Sequence, residues 1–232
     1  VRSRALEVGR ECTPELLNHC AWRAVFEQDR FGSMSSILKD ITAPPNAQSM
    51  REIQGILRVS ERAIRDEKGP CPLAGVSAFW APWAVRNNLN QITSFAEWAR
   101  ECGFGYVRWF GAHDWDGGIN PSSTPSYFTL MQQTIDTLAQ YGLRSQVTLF
   151  TRRHMVDNPV EYAREWASLV NENRDKVCLI ECVNEWNHSD NGWSDWEVRD
   201  VANAFRSRTG APLALSAPAA PTWSEMESRL SS

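Results

Sequence analysis

From residue 73 onward, the hydrophobic positions of this chain follow two alternating patterns. Short, nearly continuous apolar runs are typical of strands buried on both faces, and the longer segments between them carry apolar residues every three or four positions, as amphipathic helices do. Alternation of this kind favours a parallel α/β fold. The predicted strands are residues 73–79, 106–110, 145–150, 177–183 and 212–216, and the predicted helices are residues 94–101, 127–140, 159–173, 195–209 and 223–230.

The chain before residue 73 has a different pattern. A Thr-Pro-Glu sequence at residues 13–15 is typical of a helix start, with an N-cap, a proline in the first turn and an acid beside it. It predicts a helical segment and linker over residues 1–47. Two short apolar runs and a turn predict a β-hairpin over residues 48–72, placed to close the bottom of a barrel. The α/β domain then takes residues 73–232.

Composition excludes several classes of protein. The chain is 42% hydrophobic and 22% charged, which is ordinary for a globular protein. Its net charge of -4 argues against a nucleic-acid partner, and the absence of a long uninterrupted apolar segment argues against a membrane one. The six cysteines are too few for a disulfide scaffold, and their spacings match no usual zinc site. We expect no metal.

Tryptophan is over-represented, with eleven residues. A large flat ring with one N–H donor suits stacking on the face of a sugar, although packing in the core is the ordinary role of any single tryptophan. Trp98 and Trp166 fall within helical patterns and are expected in the core. The tryptophans near predicted strand ends, which as a group favour a ligand platform, are Trp80, Trp83, Trp109, Trp115, Trp186, Trp193 and Trp196.

The strand at residues 177–183 ends abruptly in Asn184 and Glu185. The C-terminal ends of parallel strands are where α/β barrels place their sites, so Glu185 is the first candidate for chemistry. Period-two alternation predicts Glu181 and Glu185 on one side of the strand and Asn184 on the other. The simpler interpretation is that Asn-Glu only caps the following turn.

Other predicted strand ends also carry polar residues. Arg108 lies on the second strand and would pair with Glu181, His113 follows the second strand, and His154 follows the third. His113 with Asp114 and Asp116 has the residue types of a metal site, but this is a weak signal without a second cluster. A loop beside a sugar site is the favoured interpretation.

Three stretches resemble a known family. Residues 75–80 (Gly-Val-Ser-Ala-Phe-Trp), 103–108 (Gly-Phe-Gly-Tyr-Val-Arg) and 181–185 (Glu-Cys-Val-Asn-Glu) resemble strands one, two and four of clan A glycoside hydrolases, particularly the cellulase-like family 5. The resemblance implies a (β/α)8 TIM-barrel, with about five βα units in this chain. The family's usual proline after Asn-Glu is Trp186 here.

The resemblance also implies roles for individual residues. Glu185 would be the general acid/base of a retaining hydrolase, Asn184 would contact the sugar hydroxyl next to the reacting carbon, and Arg108 would organise the site. His154 would match the family's histidine after strand three. The remaining residues expected to bind a carbohydrate substrate are His113, Trp80, Trp109, Trp115 and Trp186.

The same resemblance leaves the reaction incomplete within this chain. The family's nucleophile comes from strand seven, whereas only five units are predicted; an eight-unit barrel typically needs about 250 residues. A further polypeptide or a C-terminal region beyond this sequence would complete the barrel. No cofactor is expected, because glycoside hydrolysis uses two carboxyl groups. The alternatives are a non-catalytic carbohydrate-binding or assembly protein on a glycosidase scaffold, and an unrelated α/β enzyme.

Overall fold

The computed structural model describes residues 53–60, 63–71, 74–114 and 118–216. The predicted helical segment 1–47 and the predicted helix 223–230 lie outside the described residues. Trp115 and Asp116 also lie outside them. Among the described residues, no helix is long and apolar enough to span a bilayer.

Five parallel strands form the central sheet, and each pairs with the next strand along the chain. In an open doubly wound sheet the strand order would reverse at a switch point; an unbroken order is that of a (β/α) barrel. The prediction of a parallel α/β fold is therefore confirmed. The last strand of the sheet is only two residues long. The strands, numbered after the three of the lead-in sheet, are β4 (Gly75–Ser77), β5 (Tyr106–Phe110), β6 (Arg144–Phe150), β7 (Val177–Val183) and β8 (Leu213–Ala214).

In the part of the chain that the structure describes, five α-helices connect the strands of this sheet. The last four correspond to predicted helices, whereas α1 occupies a segment predicted as a loop. Pro82 lies in the first turn of α1, where a missing N–H costs nothing, and was the one available signal for this helix. The helices are α1 (Ala81–Asn87), α2 (Leu89–Glu101), α3 (Tyr127–Gln140), α4 (Pro159–Glu172) and α5 (Asp195–Arg206), with short 3₁₀ turns at Arg153–Met155 and Ser189–Asn191.

An aromatic layer joins the sheet to α3 and α4. Trp109 of β5 is fully buried, and its ring centroid lies 6.0 Å from that of Trp166 on α4. The hydroxyls of Tyr127 and Tyr162 are hydrogen-bonded to each other beside these rings, and Tyr127 also donates to the Gly111 carbonyl at 2.9 Å. Burial raises the pKa of both tyrosines, so they stay neutral partners in the core.

The lead-in segment forms a three-stranded antiparallel sheet at the opposite end of the barrel strands from the predicted site. Leu57 and Cys71 pack against Cys178, near the start of β7. Arg144, the first residue of β6, donates to the Ile53 carbonyl at 3.2 Å. These contacts close the N-terminal ends of β6 and β7. The three strands are β1 (Arg58–Ser60), β2 (Ala63–Asp66) and β3 (Gly69–Pro70).

Candidate active site

A buried ion pair lies across the inner face of the sheet. Arg108 of β5 and Glu181 of β7 meet with an Nε to Oε2 distance of 2.7 Å, and their side chains are only 15% and 6% exposed. Hydroxyl groups of Thr148 on β6 and Ser216 after β8 donate to the same carboxylate. One carboxylate therefore joins three consecutive strands and the segment that follows β8, and it is fully provided with donors, as a buried anion requires.

Two phenylalanines form the apolar part of this network. Phe79 follows β4 and Phe110 ends β5, and their rings stack in parallel with centroids 4.1 Å apart. The guanidinium carbon of Arg108 lies 5.1 and 5.2 Å from the two ring centroids. Aromatic faces attract a guanidinium and restrict its motion. Arg108 thus contacts both the Glu181 carboxylate and the two aromatic rings.

Arg108 also fixes Asn184. Its Nη2 donates to Asn184 Oδ1 at 2.9 Å, so the amide oxygen faces the guanidinium and the NH2 group is the end that Asn184 can offer to a ligand. Alternation predicted Asn184 on the side of the strand away from Glu181, and that prediction is wrong. The strand ends at Val183, and the turn that follows brings Asn184 to the same arginine as Glu181.

Glu185 follows with an unusual backbone. Its φ of 43° lies in the left-handed region, which non-glycine residues rarely adopt, and its side chain is exposed at the end of the sheet. Such backbone strain is concentrated at functional sites, where surrounding contacts hold it in place. Because Glu185 lies beyond the end of β7, the period-two alternation of that strand does not determine the direction of its side chain.

The loop after Glu185 is fastened to its surroundings. Asn191 donates through Nδ2 to the carbonyls of Asn184 and Glu185, each at 3.0 Å. Trp193 Nε1 donates to the Thr151 carbonyl at 3.2 Å. No sequence pattern predicts these contacts between loop residues. Asn191 was therefore not among the predicted site residues.

A second cluster of polar side chains lies where β5 and β6 end. Asp114 forms an ion pair with Arg152 at 2.7 Å, and His154 Nε2 lies 3.8 Å from the same carboxylate oxygen. The His154 side chain is 69% exposed, so it is accessible to a ligand. The His, Cys, Asp and Glu residues among those described form no group of three that could hold a metal ion.

The other predicted ligand residues have different positions. Trp80 and Trp186 are half-buried near strand ends and pack against the hydrophobic core. His113 is 1% exposed and belongs to the interior. Trp109, predicted to bind a sugar, is fully buried on the helix side of the sheet, because it neighbours Arg108 and so points to the opposite face. Trp109 is therefore not part of the candidate site, and the prediction that it binds a sugar is wrong.

Solved structures show the same arrangement of strands and helices. A likeness at a TM-score of 0.51 and 17% identity covers 69% of this chain and 39% of a family 5 glycoside hydrolase from Bacteroides vulgatus. An exo-β-1,4-mannosidase from Opitutaceae bacterium strain TAV5 has a TM-score of 0.51 and 19% identity over 65% of this chain and 33% of its own. The structural neighbours are glycoside hydrolases of family 5.

A family 5 cellulase from an Icelandic hot spring isolate extends the comparison. It has a TM-score of 0.50 and 16% identity over 72% of this chain and 53% of its own. No protein-family model and no curated protein matches the sequence. The chain thus spans between a third and about half of these three structures, and its fold is part of a (β/α)8 barrel, as the motif resemblance predicted.

Proposed function

We propose that this chain belongs to a retaining glycoside hydrolase that cleaves O-glycosidic bonds of a polysaccharide or oligosaccharide, with Glu185 as the general acid/base. The observation that supports the proposal is the linked group at the C-terminal end of the sheet. Arg108 holds the oxygen of Asn184, and Glu185 follows directly, exposed and in a strained backbone conformation. Barrel enzymes place catalytic residues at this end of the strands.

Each residue has a definite task in this reaction. Glu185 in its protonated form donates to the leaving glycosidic oxygen, and its carboxylate later takes a proton from water. The NH2 group of Asn184 donates to the hydroxyl next to the reacting carbon, where hydrogen bonds strengthen as positive charge develops. Arg108 keeps that amide oriented. Half-buried Trp80 and Trp186 and the exposed His154 contact the sugar rings.

A retaining mechanism needs a second carboxyl group about 5–5.5 Å from the first. In the proposal this nucleophile comes from a later strand of the completed barrel, supplied by a further part of the protein or by a second polypeptide. Glu181 does not fill this role, because its carboxylate is occupied by Arg108, Thr148 and Ser216.

A second candidate function is carbohydrate binding without hydrolysis. The aromatic faces of Trp80 and Trp186 support it, since ring stacking on a sugar needs no carboxyl chemistry. Glu185 would then have no reacting partner, and its carboxylate would only contact the glycan.

The experiment that tests the proposal replaces Glu185 by Gln in the natural protein carrying this chain. Hydrolysis of β-glucans and β-mannans should fall by about 10²–10⁴-fold, and hydrolysis of aryl glycosides with good leaving groups by less, because their departure needs little acid assistance. Glu172→Gln on the exposed end of α4 is the matched control. Equal rates for the Glu185→Gln variant and wild type would reject the assignment, and glycan binding without turnover in wild type would select the second candidate.

A further inference from the structure

The side-chain amide of Asn191 closes the turn that carries Glu185. One NH2 group donates to two consecutive carbonyls, those of Asn184 and Glu185, at 3.0 Å each. The Glu185 carbonyl also accepts from the His188 backbone N–H at 2.8 Å. Asn191 is itself buried, at 9% exposure, so its amide faces these carbonyls and not solvent.

These two carbonyls lie where the sheet stops supplying partners. The last ladder-like bond runs from the Asn184 N–H to the Phe150 carbonyl at 2.9 Å, and beyond it the chain turns away from β6. The left-handed conformation of Glu185 is unfavourable for an L-residue, so it persists only if its surroundings impose it. The side chain of Asn191 bonds to the carbonyl that precedes Glu185 and to the carbonyl of Glu185 itself.

The far side of the loop is anchored independently of Glu185. Trp193 donates to the Thr151 carbonyl, and its ring lies beneath the guanidinium of Arg153, at 5.8 Å. Arg153 also forms an ion pair with Glu197 at 2.8 Å, and Glu197 closes a capping box with Ser194 at the start of α5. Asn191 therefore projects from a fixed support.

We propose that Asn191 is a positioning residue that holds Glu185 in its left-handed conformation and so aims the carboxyl group at the substrate. The effect on hydrolysis rests on the proposed function, whereas the effect on the backbone does not. Asn191 needs no contact with the substrate to act in this way.

The first arm of the test is kinetic and compares Asn191→Asp, which keeps the shape but replaces both donors with acceptors, and Asn191→Ala. Misaligned catalytic groups cost about 10²-fold, so kcat should fall by that order while KM stays near wild type. Asn173→Asp is the matched control. Asn173 is also buried and donates through Nδ2, in its case to Gln132 and Leu169, but it lies at the C-terminal end of α4, remote from the candidate site. It should lower Tm without changing kcat of the folded protein.

The second arm needs no hydrolysis. Glycine tolerates a positive φ, so Glu185→Gly should have a higher Tm than Glu185→Ala, by about 2–8 °C for a chain of this size. If Asn191 imposes the conformation, this difference should shrink towards zero when both variants are made with Asn191→Ala, because the backbone then relaxes. A double-mutant cycle of this kind isolates the coupling between the two positions.

The outcomes separate the two proposals. A shrinking Gly–Ala difference supports the positioning role even if no glycan is hydrolysed, in which case only the proposed function fails. If the difference in Tm between Glu185→Gly and Glu185→Ala stays the same with Asn191→Ala, the positioning role is overturned. It is also overturned if the wild type is active and Asn191→Asp leaves kcat unchanged.

Discussion

The ion pair of Arg108 with Glu181 allows stability and activity to be separated by mutation. We consider Arg108→Met, Glu181→Gln and the double variant. Met keeps much of the aliphatic stem beside Phe79 and Phe110, and Gln keeps an oxygen that can accept from the Thr148 hydroxyl.

The magnitude follows from burial. With side chains 15% and 6% exposed, removing one partner leaves a buried charge without its counter-charge, which costs about 3–5 kcal/mol. Arg108→Met should be the more damaging single change, because it strands the more deeply buried carboxylate. At about 2–4 °C per kcal/mol, its Tm should fall by roughly 6–20 °C. The double variant carries no charge at the site and should recover much of this loss.

Thermal unfolding followed by circular dichroism measures the four stabilities, and initial rates on glycan measure activity. The double variant should be stable yet remain poorly active, because Asn184 no longer has the guanidinium that orients its amide. If the two single costs simply add in the double variant, the charges do not interact in the folded protein and the reasoning is refuted. Wild-type activity in the double variant would remove Arg108 from the site.

Two further predictions concern titratable groups. Hydrogen bonds from Ser194 and then Arg153 lower the pKa of Glu197 from its ordinary 4.5, so its stabilising contribution is complete above pH 4.5 and is lost as pH falls through the lowered value. Glu197→Gln should flatten the dependence of Tm on pH below 4.5, and an unaltered slope would contradict this. Burial raises the pKa of Cys178 to about 12, so iodoacetamide at mildly alkaline pH should alkylate half-buried Cys102 faster than Cys178 in the native protein. Equal rates by peptide mass spectrometry would contradict the burial.

Local patterns were sufficient for most of the sheet and its helices. The predicted bounds of β5, β7 and α3 match those observed, because an apolar run in each strand, or a helical period in α3, is bounded by polar residues or glycine. The helix α1 was missed because Asn87 and Asn88 interrupt the apolar pattern just before α2, and the segment is too short to show a period of its own.

The candidate site was only partly predictable. The pairing of Arg108 with Glu181 follows from alternation on the two strands that flank β6, and the same alternation should have assigned Trp109 to the outer face. Alternation stops at the end of a strand, so the placement of Asn184 beside Arg108 required the turn geometry. The hydrogen bonds from Asn191 depend on a loop that folds back onto carbonyls six and seven residues earlier. Every residue has a backbone carbonyl, so the sequence does not indicate which of them will accept.

The unbroken strand order of the sheet has a consequence for how the chain folds. Each strand from β5 to β8 pairs with the strand of the unit made just before it, so each of these pairings closes a short segment of chain. The sheet can then grow unit by unit as the polypeptide leaves the ribosome. The lead-in sheet is different, since Leu57 packs against Cys178 and its carbonyl accepts from Arg174. The lead-in sheet therefore completes its packing only after β7 has emerged.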